Sequence, residues 1–350
     1  MPTIRDVARL ARVSVPTVSG VLNGTRNVSK KTSLRVRTAI VALDYHPDQV
    51  ARSLRSRRTQ TIGFVIPDVT NPFFTDVLRG VEDTARQNGY SVILCNSNED
   101  PVVERKRLAM LYSRRVDGVL IAPTDFRSVT ERPLRRDFPL VYIDRIPPGF
   151  SGAAVVTDNL GAAYEATRYL ISLGHRRLAI ITGRLNISSG RDRLEGFRRA
   201  LQEANLPLAE EHLRQGDFGL ESGYLQTLEL MGLKNPPTAI FSCNNKMTLG
   251  LMRALGELRI ACPEQVSVFG FDDFEWAANF SPRLSTIAQP TYELGRLAME
   301  MLIRRIQNTR PEGKDKDKDQ DKDDKDVDQQ QVITLKNELK PRDSTARFTQ

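Results

Sequence analysis

The 350-residue sequence has few of the residues that build disulfides and metal sites. Its three cysteines, Cys95, Cys243 and Cys262, are far apart and odd in number, so they form neither a disulfide framework nor a paired metal-ligand spacing. The three histidines are equally scattered. No run approaches the roughly 18 apolar residues of a membrane span. We therefore expect a protein without a metal, a cofactor or a membrane partner.

Catalytic and targeting motifs are also missing from the sequence. It contains no glycine-rich phosphate loop of Walker spacing and no Gly-x-Ser-x-Gly elbow, so no catalytic residue is predicted and an enzyme is not expected. The charged start, Met1 to Asp6, lacks the apolar core of a signal peptide. This predicts a cytoplasmic protein.

Positive charge is concentrated at the N-terminus. Residues 1–60 contain 12 Lys and Arg against three acids, a local charge of +9, whereas the whole chain carries +8. The remaining 290 residues are therefore almost neutral. A basic block fused to a neutral body predicts a polyanionic partner, such as nucleic acid, for that block alone.

The basic block has the periodicity of three short helices. Apolar residues recur at helical spacing from Ile4 onward. Pro16 suits the first turn of a second helix, and Ser29 can cap a third. The three-residue break between the first two helices predicts a helix-turn-helix headpiece over residues 1–46. Residues 47–60 predict a hinge helix and linker, too short to be stable alone.

After residue 60 short apolar runs alternate with amphipathic helical stretches. The predicted strands are Ile62–Ile66, Ser91–Cys95, Gly118–Ile121, Leu140–Ile143, Ala154–Thr157, Leu178–Ile181, Ala239–Ser242 and Val266–Phe269. The predicted helices lie near 74–88, 101–115, 160–173, 190–204, 220–231, 246–258 and 291–307. This α/β alternation predicts parallel sheets covered by helices, and there are too many strands for one sheet. We therefore expect a two-lobed Rossmann-like core with a ligand cleft at the carboxyl ends of the strands.

The core is predicted over residues 61–345, interrupted by one biased segment. Residues 312–331 are largely Lys and Asp, carry no aromatic residue and cannot bury a core, which predicts a disordered loop. The predicted lobes are about 61–158 plus 290–310, and about 159–288 plus 330–345.

A series of short motifs occurs in order along the chain. They are Thr3–Ala8, Val13–Ser19, Val21–Gly24, Tyr45–Pro47, Ala51–Leu54, Asn71–Phe74, Gly270–Asp273, Pro282–Thr286 and Arg342–Thr345. In residue type and spacing the series resembles the lactose/purine/galactose repressor family of bacteria. The resemblance implies a headpiece, a hinge helix and a core like that of periplasmic sugar-binding proteins. It also implies a homodimer or tetramer that binds a near-palindromic double-stranded operator in the nucleoid.

The resemblance places the second helix in the major groove of DNA. Val15, Pro16 and Gly20 fall at the base-reading positions, yet none can form a bidentate hydrogen bond. Leu54 is implied to wedge into the minor groove, with packing on a neighbouring domain as the alternative. The predicted DNA contacts are Thr3, Ser14, Val15, Pro16, Thr17, Ser19, Gly20, Asn23, Thr25, Arg26, Ser29, Tyr45, Arg52 and Leu54.

The resemblance also implies a set of effector-binding positions in the core. These are Phe73, Phe74, Asp144, Ser189, Arg193, Phe218, Asn244, Asp272 and Gln289. Asp272 and Arg193 suit a sugar, because they can hold its hydroxyls through charge-assisted hydrogen bonds. Three alternatives stay open: Asp144 could pair with Arg145 or cap a turn, Phe218 could be a core residue, and Asp272 and Arg193 could have a purely structural role.

Two departures from the family pattern bear on the ligand. Asn245 stands where the family usually has an aspartate, which changes the local charge network. Ile187 is apolar where the purine-binding relative has a basic residue, which favours a sugar over a purine. We therefore predict a sequence-specific transcriptional repressor whose DNA affinity is controlled by a sugar, either as inducer or as corepressor. A periplasmic binding protein and a sequence-blind architectural DNA protein are the alternatives.

Overall fold

The computed structural model describes residues 2–23, 28–45, 58–124, 138–147, 150, 152–309 and 331–348. The chain divides into two compact units, a headpiece that extends to Thr59 and a core that begins at Gln60. The predicted hinge helix and almost all of the Lys/Asp segment lie outside the described residues. None of the described helices is both long and apolar enough to span a membrane.

The headpiece contains the three predicted helices, α1 (Ile4–Ala11), α2 (Val15–Asn23) and α3 (Lys30–Ala42). The Asp6 carboxylate accepts hydrogen bonds from the backbone N–H and the hydroxyl of Thr3, at 2.9 and 2.7 Å, which fixes the start of α1. Ser29 caps α3 by accepting from the Thr32 N–H at 3.3 Å. The helices enclose a small apolar core that includes Val7 from α1 and Val36 from α3.

The core alternates strands and helices along its described length. Its elements are β1 (Thr61–Ile66), α4 (Pro72–Gln87), β2 (Ser91–Asn96), α5 (Pro101–Ser113), β3 (Gly118–Ile121), β4 (Leu140–Ile143), β5 (Ala153–Thr157), α6 (Asn159–Ser172), β6 (Leu178–Thr182), α7 (Ser188–Glu203), β7 (Leu213–Gln215), α8 (Leu220–Met231), β8 (Ala239–Ser242), α9 (Asn245–Leu258), β9 (Ser267–Phe271), β10 (Ser285–Ala288), α10 (Thr291–Asn308), β11 (Gln331–Leu335) and β12 (Glu338–Lys340). Short 3₁₀ helices occupy Glu210–His212 and Glu275–Asn279.

The strands form two six-stranded sheets, one in each lobe. Their orders are β11-β5-β4-β3-β1-β2 and β12-β10-β9-β8-β6-β7. Every described pairing is parallel except that of β12 with β10. Central strands such as β3 and β4 are buried along their whole length, as expected for sheets covered on both faces. The carboxyl ends of the parallel strands in each lobe therefore share one edge, which is where ligands bind in such folds.

The structure confirms all eight strands and all seven helices predicted for the core, within about two residues at most ends. One predicted boundary is wrong: β11 pairs with β5 in the first lobe, although it was assigned to the second. The chain enters the second lobe only at β12. After α10, one short strand completes each sheet. The assignment was wrong because a sequence pattern does not indicate which of the two sheets such a strand joins.

Helices α4 and α10 pack closely in the first lobe because each presents a glycine to the other. A Cβ atom on Gly80 would lie 2.1 Å from the carbonyl oxygen of Tyr292. A Cβ atom on Gly295 would lie 2.1 Å from that of Val77. The two backbones are therefore in direct contact, and α10, from far along the chain, completes the first lobe.

The chain passes between the lobes at three described crossovers, which join β5 to α6, β10 to α10 and β11 to β12. Two of them are hydrogen-bonded together. The Asp158 N–H donates to the Leu335 carbonyl, and Asn337 Nδ2 donates to the Asp158 carbonyl, both at 2.9 Å. A change in the angle between the lobes must therefore move these two crossovers together.

Candidate functional site

A cavity of about 310 Å³ lies between the two lobes, at the carboxyl ends of their strands. We call it the effector cavity. All nine residues predicted to bind an effector line it. It also has ten lining residues that the sequence did not predict: Pro67, Asp68, Asn71, Asn98, Glu99, Arg145, Arg184, Asp217, Gly219 and Lys246.

Aromatic side chains reach the effector cavity from both lobes. Asn71 caps α4 by accepting from the Phe73 N–H at 3.0 Å, and Pro72 starts the helix, so Phe73 and Phe74 are fixed in its first turn. Their rings meet edge to face with centroids 4.9 Å apart. Phe218 of the second lobe lines the same cavity with φ at 72°, in the left-handed region. The cavity thus offers apolar surface on two sides.

Two buried carboxylates follow central strands of the two lobes. Asp144 comes directly after β4 and Asp272 directly after β9, and both have φ in the left-handed region, at 66° and 73°. Such a conformation in a non-glycine residue is uncommon and is found preferentially at functional sites. Burial raises the pKa of both carboxyls. The charge of Arg193 opposes that rise in the pKa of each, and the charge of Arg145 opposes it at Asp144.

Arg193 is held rigidly in the first turns of α7. Its Nε donates to Asn159 Oδ1 at 2.8 Å and its Nη1 donates to the Cys243 carbonyl at 2.5 Å. The guanidinium carbon lies 3.5 Å from the centroid of the Phe271 ring, a close cation–π contact. The side chain is almost fully buried, so its position at the cavity wall is set before any ligand arrives.

Asp272 is connected to the crossovers by hydrogen bonds. Gln289 Nε2 donates to Asp272 Oδ1 at 2.6 Å, and the Thr157 hydroxyl donates to Gln289 Oε1 at 2.5 Å. Gln289 lies in the second crossover, while Thr157 and Asn159 flank the first. Asp272 and Arg193, which both line the cavity, are therefore bonded to segments that link the lobes.

Arg145 lines the cavity, although the sequence predicted it only as a partner of Asp144. Its Nη1 and Nη2 donate to the Glu99 carboxylate at 3.1 and 2.9 Å, and its Nε lies 3.3 Å from Asp144 Oδ2. Asp144 therefore pairs with Arg145, as one of the alternatives predicted, and it also lines the cavity. Arg145 Nε is buried and, within the described residues, has the Asp144 ion pair but no hydrogen bond of good geometry.

The lobes also contact each other directly at the cavity. Asn245 Nδ2 donates to Asn71 Oδ1 at 2.8 Å, and Lys246 Nζ lies 2.7 Å from Asp68 Oδ2. Asn245, where the family usually has an aspartate, thus supplies an amide donor between the lobes. Ile187 is fully buried in the second-lobe core and does not line the cavity, so it gives no support to the predicted exclusion of a purine.

In the headpiece, the predicted DNA contacts on and around α2 differ in exposure. Ser14 and Pro16 are exposed, Val15, Thr17 and Ser19 are half-buried, and Thr3 and Ser29 are exposed at the starts of their helices. The hydroxyls of Ser14 and Thr17 are 2.8 Å apart, and Ser14 Oγ accepts from the Thr17 N–H at 3.3 Å. Ser14 therefore caps α2 as well as presenting a hydroxyl.

Two predicted DNA contacts are buried in the described headpiece. Gly20 is buried within α2. Tyr45 belongs to the apolar core of the headpiece, with only 9% of its surface exposed, because its large ring covers the end of that core. Thr25, Arg26, Arg52 and Leu54 lie outside the described residues, as does the Asn23 side chain, and their roles remain predictions.

Two family models match the chain. Residues 3–48 match bacterial regulatory proteins of the lacI family, and residues 167–345 match a periplasmic binding protein-like domain. The first match covers the headpiece and the second covers most of the second lobe and the end of the chain.

Curated relatives align along most of the chain. The HTH-type transcriptional repressor PurR of Vibrio vulnificus is 38% identical over 310 residues, which cover 88% of this chain and 93% of the relative. The ribose operon repressor of Haemophilus influenzae is 38% identical over 308 residues, with the same coverage of 88% and 93%.

Solved structures show the same architecture. A lac repressor dimer bound to operator and the anti-inducer ONPF matches with a TM-score of 0.82 at 26% identity, over 99% of both chains. A LacI family transcriptional regulator from Enterococcus faecium with bound ribose matches with a TM-score of 0.69 at 31% identity, over 83% of this chain and 100% of that one.

The helix-turn-helix headpiece, the two-lobed core and these relatives define a DNA-binding transcriptional repressor with an effector-binding core. The chain belongs to the lacI family of bacterial regulatory proteins.

Proposed function

We propose that this repressor binds a near-palindromic operator as a homodimer, and that a monosaccharide in the effector cavity controls its affinity for DNA. The observation that carries the proposal is the convergence of all nine predicted effector residues on one cavity. The operator-bound dimer of the lac repressor, similar over the whole chain, supports the mode of DNA binding.

The lining of the effector cavity favours a ligand with many hydroxyl groups. Asp144, Asp272 and Asn244 are buried polar residues that face it from strand ends, and the buried guanidinium of Arg145 lies beside Asp144. A sugar hydroxyl both donates and accepts, so a ring with several hydroxyls can satisfy carboxylates and guanidinium groups together. A volume of about 310 Å³ suits a single sugar ring.

Ribose is the first sugar to test. The Enterococcus faecium regulator was solved with ribose bound, and the Haemophilus influenzae relative is a ribose operon repressor. Both align with more than four-fifths of this chain.

A purine is the second candidate. Several Vibrio relatives carry the name PurR. Phe73, Phe74 and Phe218 provide aromatic surface on which a purine ring could stack, and Ile187 lies outside the lining. The polar groups around the whole cavity are the reason to rank a sugar first.

The proposed coupling passes through the crossovers. A ligand held by Asp272 and Arg193 acts on groups that are already bonded to Gln289 and Asn159, and hence changes the geometry of the segments between the lobes. Coupling free energies of about 1–3 kcal/mol are typical and correspond to roughly 5–150-fold in DNA affinity.

Thermal shift and isothermal titration calorimetry on the full chain test the ligand class. Ribose, other pentoses, hexoses, purine bases and nucleosides are compared at equal concentrations. A ligand at about 100 times its dissociation constant should stabilise the protein by about 2.7 kcal/mol. We expect a shift with ribose. A shift with purines alone would establish the second candidate, and the sugar proposal fails if no sugar gives a shift.

Competition binding tests the DNA side of the proposal. A sequence-specific regulator should prefer its operator over random DNA by about 10³-fold or more. Saturating ribose should change operator affinity and leave the affinity for random DNA nearly constant. Equal affinity for both DNAs would show an architectural protein instead.

A further inference from the structure

Each basic side chain at the effector cavity already has protein partners. Arg145 forms two hydrogen bonds with the Glu99 carboxylate. Arg184 donates to the Glu99 carbonyl at 3.1 Å and lies 4.0 Å from its carboxylate. Lys246 Nζ lies 2.7 Å from Asp68 Oδ2 and donates to the Thr70 hydroxyl at 3.1 Å. Arg193 donates to Asn159 and to the Cys243 carbonyl, so each of the four cations in the described lining is held by at least one hydrogen bond to the protein.

Carboxylates outnumber cations in the described lining, by five to four. Two of the five have neutral partners. Asp217 accepts from the Gly219 N–H at 2.8 Å, and Asp272 accepts from the amide of Gln289. The local field is therefore unfavourable for an added negative charge.

The acids and bases nearest to solvent are those that a substituent on the ligand would meet first. The side chains of Lys246, Asp68 and Arg184 are 28%, 26% and 35% exposed, whereas Asp144, Arg193 and Asp272 are nearly fully buried. A phosphate ester extending outward from a bound sugar would face the Asp68 and Asp217 carboxylates. Two of the three N–H groups of Lys246 are already donated, to Asp68 and to Thr70. A phosphate on the third would therefore share the ammonium with the Asp68 carboxylate, at close range to a like charge.

We infer that the effector cavity selects an uncharged polyhydroxylated ligand and rejects the phosphorylated form, with Asp68 and Glu99 as the residues that determine this specificity. The inference rests on the proposed sugar effector. The two carboxylates act by occupying the cations that would otherwise bind a phosphate.

The test compares ribose with ribose 5-phosphate by calorimetry on the full chain. We expect ribose to bind at least about 100-fold more tightly than its phosphate, a ratio that like-charge contacts can produce. Similar affinities, or tighter binding of the phosphate, would overturn the inference while leaving a sugar effector intact. If another sugar binds in place of ribose, that sugar and its phosphate ester are the pair compared. If no sugar binds, the proposed function is rejected, and this inference with it.

Asp68→Asn should reduce that ratio by about tenfold, because it frees Lys246 and removes one negative charge. The ratio is the measurement, since a general loss of binding does not change it. Asp76→Asn is the matched control: Asp76 is an exposed carboxylate paired with Arg79 at 3.3 Å and does not line the cavity. Glu99→Gln is the second variant and should change the ratio in the same direction. An unchanged ratio in both variants would show that these carboxylates do not set the specificity.

Discussion

Asp272 and Asp273 are neighbours in the sequence with opposite environments. Asp272 faces the effector cavity, and burial raises its pKa. Asp273 accepts two hydrogen bonds from Arg342, at 2.7 and 2.8 Å, and one from the Thr286 hydroxyl. Although burial alone would raise the pKa of Asp273, these bonds lower it. The first carboxylate is placed for a ligand and the second holds the end of the chain.

Exchanging each carboxylate for an amide separates the two roles. Asp272→Asn should weaken ribose binding by about 10- to 100-fold, because a hydrogen bond to a charged group is lost. Asp273→Asn should lower the melting temperature and leave the ribose affinity within about threefold. Calorimetry and thermal unfolding measure the two effects, and equal ribose affinity in both variants would contradict the assignment.

The buried carboxyls at the effector cavity also predict a pH dependence. Burial raises the pKa values of Asp144 and Asp272 above the ordinary value of 3.8, so both begin to take up protons at a higher pH than exposed carboxyls. A protonated carboxyl accepts fewer hydrogen bonds from hydroxyls, so ribose affinity should fall as the pH is lowered from 7.5 to 5.

The raised pKa values of Asp144 and Asp272 also affect the stability of the fold, with a pH dependence opposite to that of ribose affinity. A carboxyl that binds its proton more tightly in the folded state stabilises the fold below pH 3.8, and this contribution is lost as the pH rises through the raised value. Ligand-free thermal unfolding and ribose calorimetry over one pH series distinguish the two trends. A ribose affinity that is constant down to pH 5 would exclude proton-linked binding by these carboxyls.

At the scale of secondary-structure elements, the start of α9 links the lobes. Asn245 Nδ2 donates to Asn71 Oδ1, and the Asn245 N–H points to Asp272 Oδ2 at 3.4 Å. Asn245→Asp would place an acceptor opposite the Asn71 oxygen and near a second carboxylate. We expect a more open cleft and about three- to tenfold weaker ribose binding, because less of the protein is in the competent form.

Small-angle scattering and calorimetry measure these two consequences of Asn245→Asp. Asn279→Asp is the control, since Asn279 is exposed in a 3₁₀ helix. An unchanged radius of gyration together with weaker binding would indicate a local effect on Asp272 rather than opening of the lobes.

The contact between α4 and α10 predicts a stability effect. Gly295→Ala would place a methyl group 2.1 Å from the Val77 carbonyl oxygen, so the helices must separate. We expect a loss of about 1–3 kcal/mol in the free energy of unfolding. Gly256→Ala, in α9 with no atom within 4 Å of the new carbon, should instead stabilise the protein by about 0.5–1 kcal/mol. Denaturant unfolding compares the two, and equal effects would argue against direct backbone contact.

Elements with a strong period or a continuous apolar run were predictable from the sequence. The three-residue strand β7 is too short to show a pattern, and β10 begins with Ser285 and Thr286, so it lacks the apolar run that marks the equally short β3 and β4. The nine residues proposed to bind an effector were predicted to lie together because family motifs mark the strand ends, and all nine line the cavity. Glu99 and Lys246 were missed because their role arises from pairing with Arg145 and Asp68, which are distant in the sequence and meet only in the folded core.

At the scale of the whole molecule, the predicted role of Leu54 in the hinge rests on the family resemblance, because this residue lies outside the described residues. Leu54→Ala should weaken operator binding far more than binding to random DNA, since a minor-groove wedge acts only where the DNA is bent. Anisotropy titrations with both DNAs measure the difference. Equal losses on the two DNAs would reject the wedge.

The three crossovers have a consequence for synthesis on the ribosome. The headpiece is continuous in sequence and can fold as soon as it emerges. The first lobe needs α10 and β11, and the second needs β12, so the first sheet is incomplete until residue 335 has been translated and the second until residue 340. A nascent chain therefore passes through a stage in which the headpiece is complete and the two sheets of the core are not. Premature termination before β11 would leave a DNA-binding fragment without a sheet able to receive a ligand.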